Sequence, residues 1–313
     1  ENTFFLNLLR KIKIPLIAFD EAHCISKWGH DFRPSYQSVI QKVFTLPQSF
    51  TIVALTATAT AEVQQDIMSK LSIGQNDVVK TSTKRRNLIF KVNPTYQRQK
   101  FVVDYVANHE GQAGIIYCST RKQVEELHEA LNSEKIKSTI YHAGLTNKER
   151  IEAQNDFLYD RVEVVIATNA FGMGIDKSNV RYVIHYNMPG DLESYYQEAG
   201  RAGRDGLKSE CILLFSERDK GLHEYFITVS QADDDYKDKM GEKLTKMIQY
   251  TKTKKCLEAT IVHYFEPNEN LEECNQCSNC IQENKTYDMT REAKMIISCI
   301  ARMKHCLLYT SDA

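Results

Sequence analysis

The chain has 313 residues, 42% of them apolar and 26% charged, with a formal net charge of −1. This composition excludes a disordered or fibrous chain and leaves room for two domains or a little more, each with its own core. A near-zero charge means that any contact with nucleic acid must come from local basic patches, and no apolar run reaches the length of a membrane span. Nine cysteines without a secretory leader point to a reducing compartment, expected to be the cytoplasm, with some of them as metal ligands. The chain begins at Glu1 with Phe4, Phe5, Leu8 and Leu9 already in helical spacing, so it reads as a fragment.

The first apolar run of strand length, Ile14 to Phe19, ends in Asp20 and Glu21. Two adjacent carboxylates at the carboxyl end of a buried strand are costly to ionise unless something positive faces them, and a magnesium–nucleotide complex is the common answer. Asp20 would then hold the metal or its water. Glu21 would orient and deprotonate the water that attacks the γ-phosphate. A solvated acidic turn is the plainer alternative. Trp28, His30, Phe32, Arg33 and Tyr36 follow closely. Such groups suit the bases of a single strand, since a stacked base is worth ~1–3 kcal/mol; ordinary core packing is the alternative for Trp28 and Phe32.

A second strand is predicted from Phe50 to Leu55. It ends in Thr56-Ala57-Thr58-Ala59-Thr60, ahead of a helix from Ala61 to Leu71. Hydroxyls there either face the crevice where α/β proteins bind ligands or cap the helix. Lys84-Arg85-Arg86 is a basic run, solvated or in contact with phosphates. It leads into a strand from Leu88 to Val92, and a domain boundary is expected at Asn93-Pro94. Beyond it strands and helices alternate with short gaps, the pattern of a parallel sheet covered on both faces. Strands are predicted to start at Gly114, Ser138, Val164, Val180 and Ser209. Helices are predicted to start at Gln97, Arg121, Thr146 and Leu192. Thr146 and Glu149 have the spacing of a capping box, Asp191 is a candidate cap, and His128 on an apolar stripe reads as structural.

Tyr195 to Gly206 holds a second chemical motif, with Gln197 followed by Gly200-Arg201-Ala202-Gly203-Arg204. Glycines let the backbone turn without steric penalty, and two arginines three apart can point the same way. Guanidinium forks match phosphate oxygens, and an arginine set against a transferring phosphoryl group can be worth ~10³-fold or more. A flexible basic turn is the alternative. Charged helical sequence from Glu217 to Met247 comes next, then a helix from Thr253 to Phe265 with Cys256 near its start. Cys274-x-x-Cys277-x-x-Cys280 follows. Four thiolates from one helix and one short loop can surround tetrahedral zinc, with Zn–S near ~2.3 Å. His263 rivals Cys256 as the fourth ligand. An iron–sulfur cluster rivals zinc, but the ferredoxin run needs a further cysteine where Asn284 stands. Cys24, Cys118, Cys211 and Cys299 read as packed or free thiols. A last helix is predicted from Thr290 to Met303, a pattern that Cys306 to Ala313 does not continue.

Asp20-Glu21-Ala22-His23 resembles motif II of superfamily 2 helicases. The extension from Cys24 through Trp28, Gly29, His30, Phe32 and Arg33 to Pro34 resembles the aromatic-rich loop of the RecQ family of DNA helicases. Thr56 to Thr60 resembles motif III, Ile115 to Arg121 motif IV, Ala167 to Asp176 motif V and Tyr195 to Gly206 motif VI, in the family's order. The cysteine cluster after motif VI resembles the RecQ zinc-binding domain. The resemblance implies an α/β protein of tandem RecA-like parallel sheets followed by a small helical zinc-binding domain. Residues 1–93 would be the end of a truncated first RecA-like domain, 94–216 the second, 217–285 the zinc domain and 286–313 the start of a winged helix.

It further implies an ATP-dependent 3′-to-5′ DNA helicase with ATP, Mg2+ and Zn2+ as cofactors, acting on single-stranded and partly duplex DNA. Asp20, Glu21, Gln197, Arg201 and Arg204 would take catalytic places. Asp20, His23, Thr168, Asp176 and both arginines would contact the nucleotide or its metal. Trp28, His30, Phe32, Arg33, Thr56 and Thr58 would contact DNA, and Cys256, Cys274, Cys277 and Cys280 would hold the zinc. The loop Gly-x-x-x-x-Gly-Lys-[Ser/Thr] that cradles phosphates is not in the sequence and is expected upstream of Glu1. Two other classes are an RNA-directed superfamily 2 ATPase, which the aromatic loop and cysteine cluster count against, and a non-enzymatic nucleic-acid-binding module.

Overall fold

Short β-branched and apolar runs pair into two parallel sheets, and helices between them cover the faces. The computed structural model describes residues 3–29, 32–172, 175–269, 272–281 and 290–302. It opens with α1 (Thr3–Leu9), β1 (Leu16–Phe19), a 3-10 turn at Ala22–Ile25, α2 (Pro34–Val43), β2 (Thr51–Ala54) and α3 (Ala61–Leu71). β1 and β2 run parallel, with Leu16 opposite Thr51 and Phe19 opposite Ala54. Phe19, Ala22 and Ile25 pack with Ile40 and Val43 of α2 and Ile67 and Leu71 of α3 into one core.

The second sheet is built from β3 (Leu88–Pro94), α4 (Arg98–Ala107), β4 (Ala113–Tyr117), α5 (Arg121–Ser133), β5 (Ser138–Tyr141), α6 (Asn147–Leu158), β6 (Val164–Ala167), β7 (Val180–His185), α7 (Leu192–Ala199) and β8 (Ser209–Phe215). Its strand order is β3-β8-β7-β4-β6-β5, parallel throughout. Every residue of β4 and β6 is buried, as expected of strands covered on both faces. Ile115, Val165 and Val183 enter one core, and Ile116, Ile166 and Ile184 the other. The expected capping box closes at Thr146 and Glu149, and Asp191 caps α7.

The expected break at Asn93-Pro94 is corrected by this topology. β3 runs through both residues and pairs with β8, Pro94 lying opposite Phe215, so the sheets divide upstream of Leu88. Proline is tolerated there because β3 is an edge strand and its missing amide breaks no ladder.

The charged run from Glu217 is two helices, α8 (Glu217–Val229) and α9 (Asp234–Lys252), because Asp233 starts a new one by accepting from the Tyr236 amide. The next helix, α10 (Leu257–Phe265), starts later than expected, with Cys256 as its cap residue. α11 (Ser278–Ile281) follows. Residues 1–281 form one unit and 282–313 another. Of the latter, α12 (Thr290–Arg302) is described, with Met295, Ile296, Ile297 and Ile300 exposed; Met303 and the tail from Cys306 lie outside the described residues. Among the described residues no helix is long and apolar enough to cross a membrane.

Gly114 passes beneath the fully buried ring of Tyr182, and a Cβ there would lie 1.9 Å from Tyr182 Cε2. Gly114→Ala should therefore lower unfolding free energy by about 1–3 kcal/mol or more. Denaturant titration of the two proteins checks this, and an unchanged midpoint would refute the packing argument.

Candidate active site and metal centre

The chain turns sharply after β1, and Glu21 takes the left-handed conformation at φ 48° and ψ 46°. Such a conformation costs a non-glycine residue on the order of 1 kcal/mol or more and persists only where its surroundings impose it. Here the Glu21 amide donates to Asp20 Oδ1 at 2.8 Å, the Tyr36 phenol donates to the Asp20 carbonyl at 3.1 Å, and the Ala22 amide donates to the Leu55 carbonyl at 2.8 Å. The buried His23 places Nδ1 3.3 Å from Glu21 Oε2 and 3.1 Å from Thr56 Oγ1. One imidazole thus joins the acidic turn after β1 to the hydroxyl turn after β2. Thr60 is the residue that caps α3, its hydroxyl accepting from the Val63 amide.

A cleft of about 990 Å³ separates these turns from the second sheet. Glu21, Thr56, Thr58 and Gln64 line it on one side, and Gly172, Asp176, Gln197, Arg201 and Arg204 on the other. Asp20 and Thr168 lie outside this wall: Asp20 is exposed at the strand end, and the Thr168 amide donates to the Tyr141 carbonyl. Arg201 is only 9% exposed. Its Nη1 donates to the Gly172 carbonyl, while its buried Nε has no hydrogen-bond partner among the described residues. A Cβ on Gly172 would come within 2.5 Å of Arg201 Nη2, so glycine is what admits the guanidinium. Arg204 Nη1 meets Asp176 Oδ1 at 2.8 Å. The hydroxyl of Thr58 is a second buried wall atom without a partner among the described residues. Orphaned donors on both walls fit an anionic ligand with many acceptor oxygens, such as a nucleotide.

The basic run before β3 braces this site. Arg85 Nη2 donates to the Ala202 and Gly203 carbonyls at 3.4 and 3.3 Å, and Asn87 Nδ2 to the Gly203 carbonyl at 2.8 Å. Arg85 therefore holds the arginine turn, where Gly203 takes φ +56°. Burial pushes the neighbouring Tyr196 phenol up to about 12, with Arg85 acting against the rise.

Trp28 is half-buried against the core of the first sheet, and the ammonium groups of Lys27 and Lys239 lie 5.4 and 5.9 Å from its ring centre. Its carbonyl accepts from Lys243 Nζ at 2.8 Å. A Cβ on Gly29 would sit 2.3 Å from the His23 carbonyl, so the loop closes directly on the backbone of the acidic turn. Phe32 and Arg33 are half-buried, the Arg33 amide donating to the Cys24 carbonyl at 3.0 Å. His30 lies outside the described residues. Thr56 and Thr58, expected on DNA, belong to the cleft wall, of which Trp28 is not part. Lys239 and Lys243 gave no local signal in the sequence, because their meaning depends on Trp28 far upstream.

Cys256, Cys274, Cys277 and Cys280 bring their Sγ atoms within 4.8 Å of one another. Three of the separations are 3.4, 3.9 and 4.0 Å. Tetrahedral zinc with Zn–S near ~2.3 Å sets sulfurs roughly 3.8 Å apart. An iron–sulfur cluster interposes several irons and sulfides and would hold them further apart. Amides of Leu257, Cys274 and Cys277 donate to Sγ of Cys277, Cys256 and Cys274 at 3.3, 3.4 and 3.2 Å. Burial raises the thiols of Cys274 and Cys280. Burial is also the largest single influence on Cys277, but there hydrogen bonds from the Leu257 and Cys280 amides and from the Cys280 and Cys274 thiols together hold the thiol below its ordinary value. His263, exposed on α10, is not in the cluster.

Three family models cover most of the chain: DEAD/DEAH box helicase over residues 3–67, helicase conserved C-terminal domain over 97–206, and RecQ zinc-binding over 217–281. The chain is 47% identical, over 96% of its length, to the ATP-dependent DNA helicase RecQ of Bacillus subtilis. It belongs to the RecQ helicase family. A RecQ of the same description from Haemophilus influenzae is 37% identical over 97% of the chain. The chain covers 50% and 49% of these RecQ relatives, about half their length. Among solved structures, Saccharomyces cerevisiae Dbp5 bound to RNA and ADP BeF3 superposes with a TM-score of 0.56 at 21% identity, covering 77% of this chain and 67% of that one; this likeness shows the tandem RecA-like fold. With the RecQ zinc-binding match over the four cysteines, zinc is the metal that they would hold, and ATP with Mg2+ is what a DEAD/DEAH-box cleft is expected to bind.

Purified protein should contain about one zinc per chain and no iron. Cys277→Ser should lose the metal and become protease-sensitive, because a structural zinc contributes folding free energy. Iron with visible absorption would overturn the assignment.

Proposed function

We propose that the protein is an ATP-dependent DNA helicase that couples hydrolysis to movement along single-stranded DNA and to opening of partly duplex DNA, acting in the cytosol or on the nucleoid. The observation that supports it most directly is the cleft whose opposite walls carry Glu21 with Thr56 and Gln197 with Arg201 and Arg204. DNA as substrate and the 3′-to-5′ direction rest on RecQ kinship.

Bound ATP with Mg2+ would supply the phosphoryl group and the polarising charge. Asp20, at the exposed end of β1, would hold the metal or its water. Glu21 takes the proton of the attacking water. Arg201, through its unpartnered Nε, and Arg204 neutralise charge on the transferred group. Gln197 sits one turn before Arg201 on the same wall and orients the water or the γ-oxygens. His23 ties Glu21 to Thr56, so a change at the base is felt at the turn after β2. Trp28 offers a stacking face on a loop whose closing turn rests on His23, so occupancy of the loop by DNA is felt at the acids.

Two variants in the protein extended to the full length of its relatives test this. Glu21→Gln should lower hydrolysis about 10²-fold or more, with and without DNA, because it removes the base. Trp28→Ala should lower turnover at saturating single-stranded DNA. It should weaken DNA binding by only about ten- to a hundredfold, since one stack is worth ~1–3 kcal/mol. Full turnover of Trp28→Ala once DNA saturates would reduce the loop to a binding contact. Hydrolysis untouched in Glu21→Gln would remove the assigned base.

A further inference from the structure

One ammonium group is shared by three parts of the molecule. Lys243 stands in the middle of α9 with its side chain 6% exposed. Its Nζ donates to the Trp28 carbonyl at 2.8 Å and lies 2.9 Å from Oε1 of Glu193, whose side chain is 3% exposed. Glu193 is in the first turn of α7. Gln197 is one turn further along that helix, and Arg201 follows its end. A desolvated ammonium is stable only against partners that match it. One partner of this ammonium is in the loop that follows Glu21, and the other is on the helix that carries the opposite wall. Neither can shift without altering the other's share of the same charge.

The surrounding contacts make α9 a seat for the loop. Lys239 lies over the Trp28 ring and pairs with Glu62, in the first turn of α3, at 2.8 Å. Lys27 pairs with Asp233, the cap of α9, at 2.8 Å. The loop is therefore held at its ring, its backbone and its flanking lysine by one helix within the zinc-binding match.

We propose that Lys243 is a positioning residue that couples the aromatic loop to the helix of the arginine turn. Through the ammonium shared with Glu193, the place of Trp28 sets the place of α7, and hence of Gln197 and Arg201. This rests on the reading of the cleft as a DNA-stimulated ATPase. The loop's covalent link to Glu21 reaches only the near wall; the shared cation reaches the far one.

The test is Lys243→Met in the protein extended to the full length of its RecQ relatives. Hydrolysis without DNA, single-stranded DNA affinity and zinc content should stay within about threefold of the unmodified protein, while the ratio of DNA-stimulated to basal hydrolysis falls at least about tenfold. Lys243→Met leaves the buried Glu193 without its cation, so Lys243→Met with Glu193→Gln guards against misfolding by removing both charges. The double variant should show the same lost ratio, because the Trp28 carbonyl has lost its donor in both. Adding Trp28→Ala to Lys243→Met should reduce the ratio no further than Trp28→Ala alone, as for two residues on one route. A ratio retained in the folded single or double variant overturns the proposal. So do basal and stimulated rates that fall together, or losses at Trp28 and Lys243 that multiply. If the unmodified protein shows no stimulation by DNA, the helicase reading fails and the inference with it; stimulation that survives in the variants sinks the inference alone.

Discussion

A guanidinium buried to the extent of Arg201 must be held by its neighbours or it would be pulled back to water, and much of the architecture serves that one requirement. Gly172 lacks the Cβ that would collide with it and offers it a carbonyl. The Tyr117 phenol donates to the carbonyl of Phe171 next door at 2.8 Å, fixing the loop after β6 to the end of β4. Arg85 and Asn87 draw the carbonyls of the arginine turn toward the segment that enters β3. The Gly172 carbonyl bonds the guanidinium directly, and the contacts of Arg85 and Asn87 fix the turn that carries it, so that the buried charge keeps its partner. The N–H at Nε, without an acceptor among the described residues, is tolerable in a group that faces a cleft.

The acidic wall is constrained by backbone rather than charge. Glu21 is bent into a left-handed turn, and the loop after it passes so close to His23 that only Gly29 fits. Glu21, His23 and Gly29 thus lie on one closely packed stretch of main chain. Such a stretch transmits displacement only to what it touches. Trp28 touches α9, and through α9 its influence crosses to the second sheet.

How much of this was legible in the sequence follows from how local each determinant is. β4, β6 and β7 were readable because buried parallel strands leave apolar runs between turn residues, and the caps at Thr146 and Asp191 because a cap is decided within four residues. Cys274, Cys277 and Cys280 were readable because metal spacing is a short-range pattern, whereas the choice of Cys256 over His263 as the fourth ligand needed the fold. The sheet to which β3 belongs was not, since its partner β8 lies on the far side of the domain in sequence. Ser230 to Asp233 as a break between α8 and α9 was hidden by the uniform charge of the flanks. Glu21, Gln197, Arg201 and Arg204 came together on one cleft as their motifs suggested, whereas Thr168 and Asp20 fell outside its wall. Thr56 and Thr58 fell on the cleft because residues at a strand's carboxyl end face the crevice. The buried pair of Lys243 and Glu193 has no sequence signature: each residue alone looks like a solvated charge on a helix.

The place of β3 at the edge of the second sheet also bears on how the protein is made. β3 leaves the ribosome before any other strand of its sheet, yet its one neighbour, β8, is the last to be synthesised: Leu88 waits for Ser209. Until then the interior strands can assemble with their helices while β3 remains an unpaired edge, open to wrong partners. The segment that clasps the arginine turn, Arg85 to Asn87, is continuous with that waiting strand. The clasp on the arginine turn, and with it that wall of the candidate cleft, is therefore complete only once β8 has been made.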